Sequence, residues 1–290
     1  MMGRVLVAGA TGQLGRQVAG ELRRRGWNVR ALTRDPARLA ALGLPAEAAL
    51  RGDLRDAASL RPACAGADAV VSCAGASMRL GGLGDRRGFM EVDWAGNRAL
   101  LDAARAAGVR RFVYVSVFGA ERLRGTVYVD AHERFVDALA ASGMDYAVVR
   151  PTGFFSFMGE LVRMAAKGRG AVIGDGGART NPVHETDVAA ACADALAGTE
   201  RRIDVGGPDT FTRRELAELA FRAVGRAPRI MAVPPGAFRA VAALTRPINP
   251  RIAALLEFGT EVSLVDCVAP TRGTRRLEDH FRAVAAEVRR

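Results

Sequence analysis

The sequence predicts an α/β protein, a doubly wound parallel sheet followed by a smaller, mainly helical C-terminal lobe. Three observations lead there. Short apolar runs alternate with amphipathic helical patterns over residues 1–150, the pattern of successive βαβ units. The run Gly9-Ala10-Thr11-Gly12-Gln13-Leu14-Gly15 follows the apolar segment Val5-Leu6-Val7-Ala8 and opens an amphipathic stretch, so that strand, glycine turn and helix come in the order that a phosphate-cradling turn requires. Finally, 49% hydrophobic and 25% charged residues over 290 positions give a globular balance, with length enough for one large core or a main domain plus a lobe.

Taken in order, strands are expected near 4–8, 28–32, 47–51, 68–73, 111–115 and 145–150, with helices near 13–25, 36–42, 56–63, 90–107 and 129–142. The apolar runs Val70-Val71 and Phe112-Val113-Tyr114-Val115 suit strands covered on both faces. After Arg150-Pro151 the alternation loosens into helices near 156–167, 186–197 and 213–225, separated by Gly- and Pro-rich turns. Two apolar helices near 236–246 and 250–260 follow Pro234-Pro235. Each is too short to span a bilayer, so they are read as a lid, substrate lobe or dimer contact, with a membrane-surface contact as the alternative. The domains expected are a Rossmann-type nucleotide-binding domain at 1–150 and a substrate lobe at 151–290, partly interleaved with it.

Residues 1–9 lack the charged and long apolar regions of a secretory signal, and no apolar run reaches membrane-span length, which points to a cytoplasmic protein. Cys64, Cys73, Cys192 and Cys267 are far apart, without CxxC spacing; they read as buried thiols, and no metal is expected. The net charge of +11 raises nucleic acid as a partner. However, the basic residues are scattered pairs such as Arg110-Arg111, Arg201-Arg202 and Arg275-Arg276 instead of one block, so no nucleic-acid role is expected. Lys167 is the only lysine.

Among Gly9, Gly12 and Gly15, one glycine allows the tight turn, one lets backbone N–H groups approach a pyrophosphate, and one lets helix pack on strand. Thr11, Gln13 and Leu14 belong to the same turn, and the phosphates are expected on the helix N-terminus. An NAD site places an acid at the end of the second strand, but here that strand ends Ala31-Leu32-Thr33-Arg34. Asp35 stands near the counted distance, yet Asp35-Pro36 also makes a helix start, with Asp as N-cap and Pro in the first position, and that reading is preferred. Arg34, with Arg38 one turn on and Arg16 beside the glycines, suits a 2′-phosphate. NADP is therefore expected over NAD. Asp53, followed by Leu54, either accepts from the adenine amino group or shapes a turn, and the small Ala74 and Gly75 after Cys73 leave room for the cofactor.

Together with the glycine run, Val92-Asp93-Trp94-Ala95-Gly96-Asn97, Arg111-Phe112-Val113-Tyr114-Val115-Ser116, Ser142-Gly143-Met144-Asp145-Tyr146, Arg150-Pro151-Thr152-Gly153-Phe154-Phe155 and Asn181-Pro182-Val183-His184 with Asp187-Val188-Ala189 resemble the atypical short-chain dehydrogenase/reductases of the NmrA-like and NAD(P)H-binding epimerase/dehydratase-like group. The GxxGxxG spacing agrees. The resemblance covers most of the chain to about residue 225 and implies that Ser116, Pro151, Thr152, Gly153 and Phe154 line the nicotinamide. The wider family uses Tyr-x-x-x-Lys, whose lysine lowers the tyrosine pKa and holds the ribose. Here Tyr128 is followed four residues on by His132 instead. A helix beginning near Tyr128 puts both on one face, flanked by Asp130 and Glu133. His132 is then expected to hold the ribose or act as acid and base, against the plainer reading of a surface histidine paired with an acid. Asp93 stands where many relatives carry an active-site Asn and completes the expected catalytic set of Tyr128, His132 and Asp93; Asn97 is the alternative, or a polar residue on the helix face. His184 either faces the substrate or bonds a backbone group in a helix-start turn, and His280 is expected in solvent.

The function expected is that of an NADP-dependent oxidoreductase acting on a small or medium apolar carbonyl, enone or polycyclic metabolite. Phe155 and Phe157 would supply aromatic area and Asn181 and His184 hydrogen bonds to it, with the glycine-rich stretch 75–88 as a lid. Two alternatives stand beside it: a redox-neutral isomerase or cyclase on the same scaffold, and a redox-silent NADP sensor. The missing lysine favours the sensor and the Phe-lined second lobe the enzyme. The partner expected is a small-molecule substrate, with a homodimer left open.

Overall fold

The computed structural model describes residues 2–40, 43, 45, 48–76, 78 and 88–289. Its centre is a seven-stranded sheet in the order β3-β2-β1-β4-β5-β6-β9. These strands are β1 (Arg4–Ala8), β2 (Asn28–Thr33), β3 (Ala49–Arg51), β4 (Ala69–Ser72), β5 (Arg111–Val115), β6 (Asp145–Pro151) and β9 (Arg202–Val205). The pairs from β3 across to β6 are parallel, with Val7 opposite both Ala31 and Val71. The order reverses between β1 and β4, the switch point outside whose carboxyl end ligands bind in such sheets. β4 and β5 are buried at every position, as their unalternating apolar runs require. Among the described residues no helix is long and apolar enough to cross a membrane.

The chain forms two compact units. The first comprises Met1–Val117, Val127–Arg150 and Val188–Ile203, the second Phe118–Thr126, Pro151–Asp187 and Asp204–Arg290. The helix α8 (Glu185–Ala197) thus begins in the second unit and continues in the first. Its later part is tied to α1 (Gln13–Arg24) through Arg25, which pairs with Asp194 at 2.5 Å and donates to the Ala190 carbonyl at 3.5 Å. The first unit's core joins Leu6, Leu32, Leu60, Val70, Leu100, Phe112 and Tyr114 to Phe135 and Leu139 of α6 (Val127–Ala140).

The expected helix 90–107 has two parts, a π-helical segment at Met90–Gly96 and α4 at Asn97–Ala106. A π-turn leaves carbonyls without their α-helical partners, and the fully buried Asn97 side-chain amide reaches two of them, Val92 and Asp93, at 3.3 and 3.1 Å, and the Ala74 carbonyl just past β4 at 3.0 Å. The Asn97 oxygen accepts from the Ser72 hydroxyl at 2.5 Å. Asn97 is a structural anchor, not a residue of an outer helix face.

The second unit is helical as expected, but it also carries two small sheets that the sequence reading missed. β8 (Arg179–Thr180) pairs with β10 (Phe211–Thr212), and β7 (Gly170–Ile173) with β11 (Ile230–Val233). Strands of two to four residues are too short for their alternation to stand out from a loop. Its core packs Phe155 and Val162 of α7 (Phe155–Ala166), Leu216 and Phe221 of α9 (Arg213–Val224) and Phe281 and Val284 of α12 (Leu277–Val288). α10 (Pro235–Thr245) and α11 (Pro250–Leu264) pack on each other, α11 starting from the Asn249 side chain, which accepts from the Ile252 amide.

Two glycines of α1 separate the packing role from mere helix propensity. A Cβ on Gly15 would lie 2.1 Å from the Gly9 carbonyl oxygen, whereas the exposed Gly20 has nothing within 4 Å. Gly15→Ala should therefore destabilise the protein by about 2–3 kcal/mol by overpacking, while Gly20→Ala should stabilise it by about 0.5–1 kcal/mol. Urea unfolding of the two variants checks the opposite signs.

Candidate functional site

The glycine turn is shaped by contacts that exclude any side chain. Gly9 has φ +80°, and a Cβ there would lie 2.7 Å from the Cys73 carbonyl oxygen at the end of β4. The Gly12 amide closes the turn on the Gly9 carbonyl at 2.9 Å, and Gly15 is buried against that same carbonyl. Gly12 is the extended N-cap of α1 and offers no side-chain cap. The opening amides of Gln13, Leu14 and Gly15 are thus left for an anion, with Gly12 and Gln13 exposed and Thr11 and Leu14 half-buried. A helix start of this kind, uncapped and cleared of side chains, fits a pyrophosphate.

At the end of β2, Asp35 accepts from the Ala37 amide at 3.0 Å and so caps α2 (Pro36–Ala40). Arg34 and Arg38 are both exposed. Asp53 forms a turn: it accepts from the Arg55 amide at 3.0 Å and from its guanidinium at 2.9 Å. The Arg55 hydrogen bond, with help from the more distant Arg34, holds the Asp53 carboxyl below the usual range. Leu54 and Ala74 are buried beside them. Gly75 is required by Asp93, whose Oδ1 would lie 2.5 Å from a Cβ. Residues 77 and 79–87, most of the stretch expected as a lid, lie outside the described residues.

Asp93 is turned inward by the π-helical segment and is 1% exposed. Its carboxylate accepts from the Ala76 amide at 2.9 Å and meets His132 Nε2 at 3.2 Å. His132 Nδ1 lies 2.6 Å from the hydroxyl of Tyr114, a fully buried residue of β5. This corrects two expectations for His132. It is not a surface histidine, and it has no ring nitrogen left to hold a ribose. Tyr128 packs edge-on to His132 and to Phe89, with ring centroids 4.7 and 5.0 Å apart. Burial, and then the Asp93 charge, push the phenols of both Tyr114 and Tyr128 above the ordinary tyrosine value. Tyr114 escaped sequence reading because it sits in an apolar strand run. The available signal was its hydroxyl, which when buried must find a partner.

Beside this chain lies a second buried network. Arg150 grips Glu133 with two hydrogen bonds of 2.7 and 2.8 Å and donates to the Val117 carbonyl at 3.1 Å. The Ser116 hydroxyl donates to Glu133 at 2.9 Å. The Ser116 side chain is therefore committed to Glu133 and its amide to the Val149 carbonyl at 2.9 Å, which leaves no Ser116 donor for the cofactor role expected of it. Glu133, expected merely to flank His132, is 5% exposed.

In the second unit, Pro151 and Thr152 are buried, Thr152 donating to the Asn181 carbonyl at 2.6 Å, while Gly153 and Phe154 are half-buried. Asn181 departs from expectation. Its amide hydrogens go to the Gly207 and Ala269 carbonyls at 3.1 and 2.8 Å, and its oxygen accepts from the Ala269 amide at 3.0 Å. It is a 1% exposed staple with no donor left for a substrate. Phe155 is fully buried and joins the α7 core, so it too offers no substrate surface, whereas Phe157 is 42% exposed. His184 Nδ1 accepts from the Thr186 amide at 3.1 Å, the helix-start role. His280 is not solvated: it packs on Phe155 and His184, with Nε2 buried. Burial lowers the pKa of both histidines. Among the described residues no group of three or more His, Cys, Asp or Glu could hold a metal ion.

Residues 9–199 match the NAD(P)H-binding family model. Divinyl chlorophyllide a 8-vinyl-reductase of Oryza sativa subsp. indica is 32% identical over 98% of this chain and 78% of its own length. The Zea mays protein of that name is 34% identical over 79% of this chain, which spans only 61% of it. A (4-alkanoyl-5-oxo-2,5-dihydrofuran-3-yl)methyl phosphate reductase of Streptomyces griseus subsp. griseus is 34% identical over 77% of this chain and 74% of its own. In fold, the chain resembles Citrobacter sp. triphenylmethane reductase complexed with NADP(H), with a TM-score of 0.75, 19% identity and coverage of 97% and 99%. The chain belongs to the NAD(P)H-binding family, among the atypical short-chain dehydrogenase/reductases, and is an oxidoreductase of that family.

The Glu133–Arg150 pair gives a direct stability test. Glu133→Ala leaves a buried guanidinium uncompensated and should cost about 3–5 kcal/mol. Replacing both partners with apolar residues, Glu133→Leu with Arg150→Met, should recover most of that loss. Denaturant unfolding of the single and double variants measures the difference.

Proposed function

We propose that this member of the NAD(P)H-binding family is an NADPH-dependent reductase of a small or medium apolar substrate carrying a polarised C=C or C=O bond, such as an enone or a conjugated polycycle. The observation that carries the reading is Tyr128 seated on the Asp93–His132–Tyr114 chain, with no lysine within its helix. All three curated relatives described above are named reductases, two of them of a vinyl group.

The bound nicotinamide would supply a hydride. The uncapped amides of Gln13, Leu14 and Gly15 bind the pyrophosphate, and the exposed Arg34 and Arg38 take the 2′-phosphate, which selects NADP over NAD. Tyr128 keeps its proton, because burial and the Asp93 carboxylate both oppose a phenolate. It therefore serves as a hydrogen-bond donor to the substrate atom where negative charge develops. It serves poorly as the base that the reverse oxidation needs, so the site is biased towards reduction. His132 does not touch the substrate; bonded at both nitrogens, it fixes Asp93 and supports the Tyr128 ring. Phe157 offers exposed aromatic surface to an apolar substrate.

Calorimetry on the wild type should show NADPH binding at least ~tenfold tighter than NADH, with Arg34→Asp erasing or reversing the preference. Equal affinities in the wild type would sink the assignment.

Turnover is tested by NADPH consumption against a panel of enones and carbonyls. Tyr128→Phe should lower kcat by ~100-fold or more with little change in NADPH affinity. Asp93→Asn removes the charge that raises the Tyr128 pKa, so the alkaline fall of the pH profile should move to lower pH. A profile unmoved by that substitution would remove Tyr128 from its role.

A further inference from the structure

We propose that α10 is a docking face for an anionic lipid bilayer, seated in the interfacial plane of the membrane. One side of the helix is used internally: Ala242 and the following Asn249 are buried, and Arg239 and Arg246 reach back to Glu261 and Glu257 of α11. The other side is apolar and open. Ala237, Ala240, Val241, Leu244 and, just past the helix, Ile248 follow one another at helical spacing. Val241 is 50%, Leu244 75% and Ile248 72% exposed, and Met231 on the preceding strand is 66% exposed. Large aliphatic side chains at i, i+3 and i+7 facing water are the reverse of what a solvated helix presents.

Charge indicates the occupant. No Asp or Glu lies between Glu218 and Glu257, a stretch that carries Arg222, Arg226, Arg229, Arg239, Arg246 and Arg251. At the start of the β7–β11 sheet the cations gather. Ile230 is in register with Gly170, which sets Arg229 beside Arg169, and the Arg226 guanidinium lies over Gly168, next to Lys167. All four of these cations are exposed. Arg239 and Arg246 are paired with the α11 glutamates and Arg251 is buried, so the surface charge is carried by the four-cation cluster, which a second copy of the chain would repel and an anionic bilayer complements. The eleven residues of α10 are far short of a span, so the helix would lie along the surface with its aliphatic side in the acyl boundary.

The test is co-sedimentation of the full chain with phosphatidylcholine vesicles made with and without phosphatidylglycerol. The wild type should partition at least ~tenfold more strongly onto the phosphatidylglycerol vesicles, and less so at high salt. Leu244→Glu with Ile248→Glu should lose binding while keeping the wild-type melting temperature and NADPH affinity, since both side chains are exposed. Arg226→Glu with Arg229→Glu should lose the preference for phosphatidylglycerol. Three outcomes would overturn the proposal: no binding of the wild type to either vesicle, undiminished binding of the Leu244 and Ile248 double variant, or a dimer in sedimentation equilibrium that this double variant splits while vesicles remain unbound.

Discussion

Much of the first unit is organised around one carbonyl. The Gly9 oxygen accepts the Gly12 amide and lies where a Cβ of Gly15 would otherwise stand, while Gly9 itself abuts the Cys73 carbonyl at the end of β4. Three backbone segments, β1, β4 and α1, converge there at distances that only hydrogen atoms can occupy. α1 therefore begins against the sheet, with its first amides directed outward and uncapped. The position coincides with the reversal of strand order between β1 and β4, so topology and local sterics select the same spot for an anion.

Polar groups buried close to that spot are satisfied in separate sets. Asn97 binds Ser72 and two carbonyls that the π-turn releases, His132 joins Tyr114 to Asp93, and Glu133 joins Ser116 to Arg150. The π-turn is the cause behind the first two, since the extra residue in its ring rotates Asp93 into the interior. In low dielectric such networks hold side chains in one geometry, because breaking any bond strands a partner without water.

How much of this was legible depended on the range of the signal. The glycine turn, the strands β1, β4 and β5 and the Asp35 cap are written in neighbouring residues, and local sterics produced them where the pattern said. Tyr114, Glu133 and Arg150 acquire their roles only across the fold, through partners 17 or 18 residues away in sequence. Asn181 and His280 were misread for the same reason. A polar residue in a loop and a histidine in a charged segment look solvated until Ala269, 88 positions on, and Phe155 arrive to cover them. Phe155 and Phe157 differ only in helical phase, which one faces the core and the other does not.

The chain passes between the two units five times, after Val117, Thr126, Arg150, Asp187 and Ile203. No single break in the polypeptide could yield either unit whole. On the ribosome, β6 would emerge with one side of its backbone unpaired, because its neighbour β9 is made only some fifty residues later. Until then the edge is the seven-residue β6, longer and more prone to recruit a foreign strand than the four-residue β9 that finally ends the sheet. The interval in which the newly made chain is vulnerable is therefore set by its connectivity, through the time needed to translate residues 152–201.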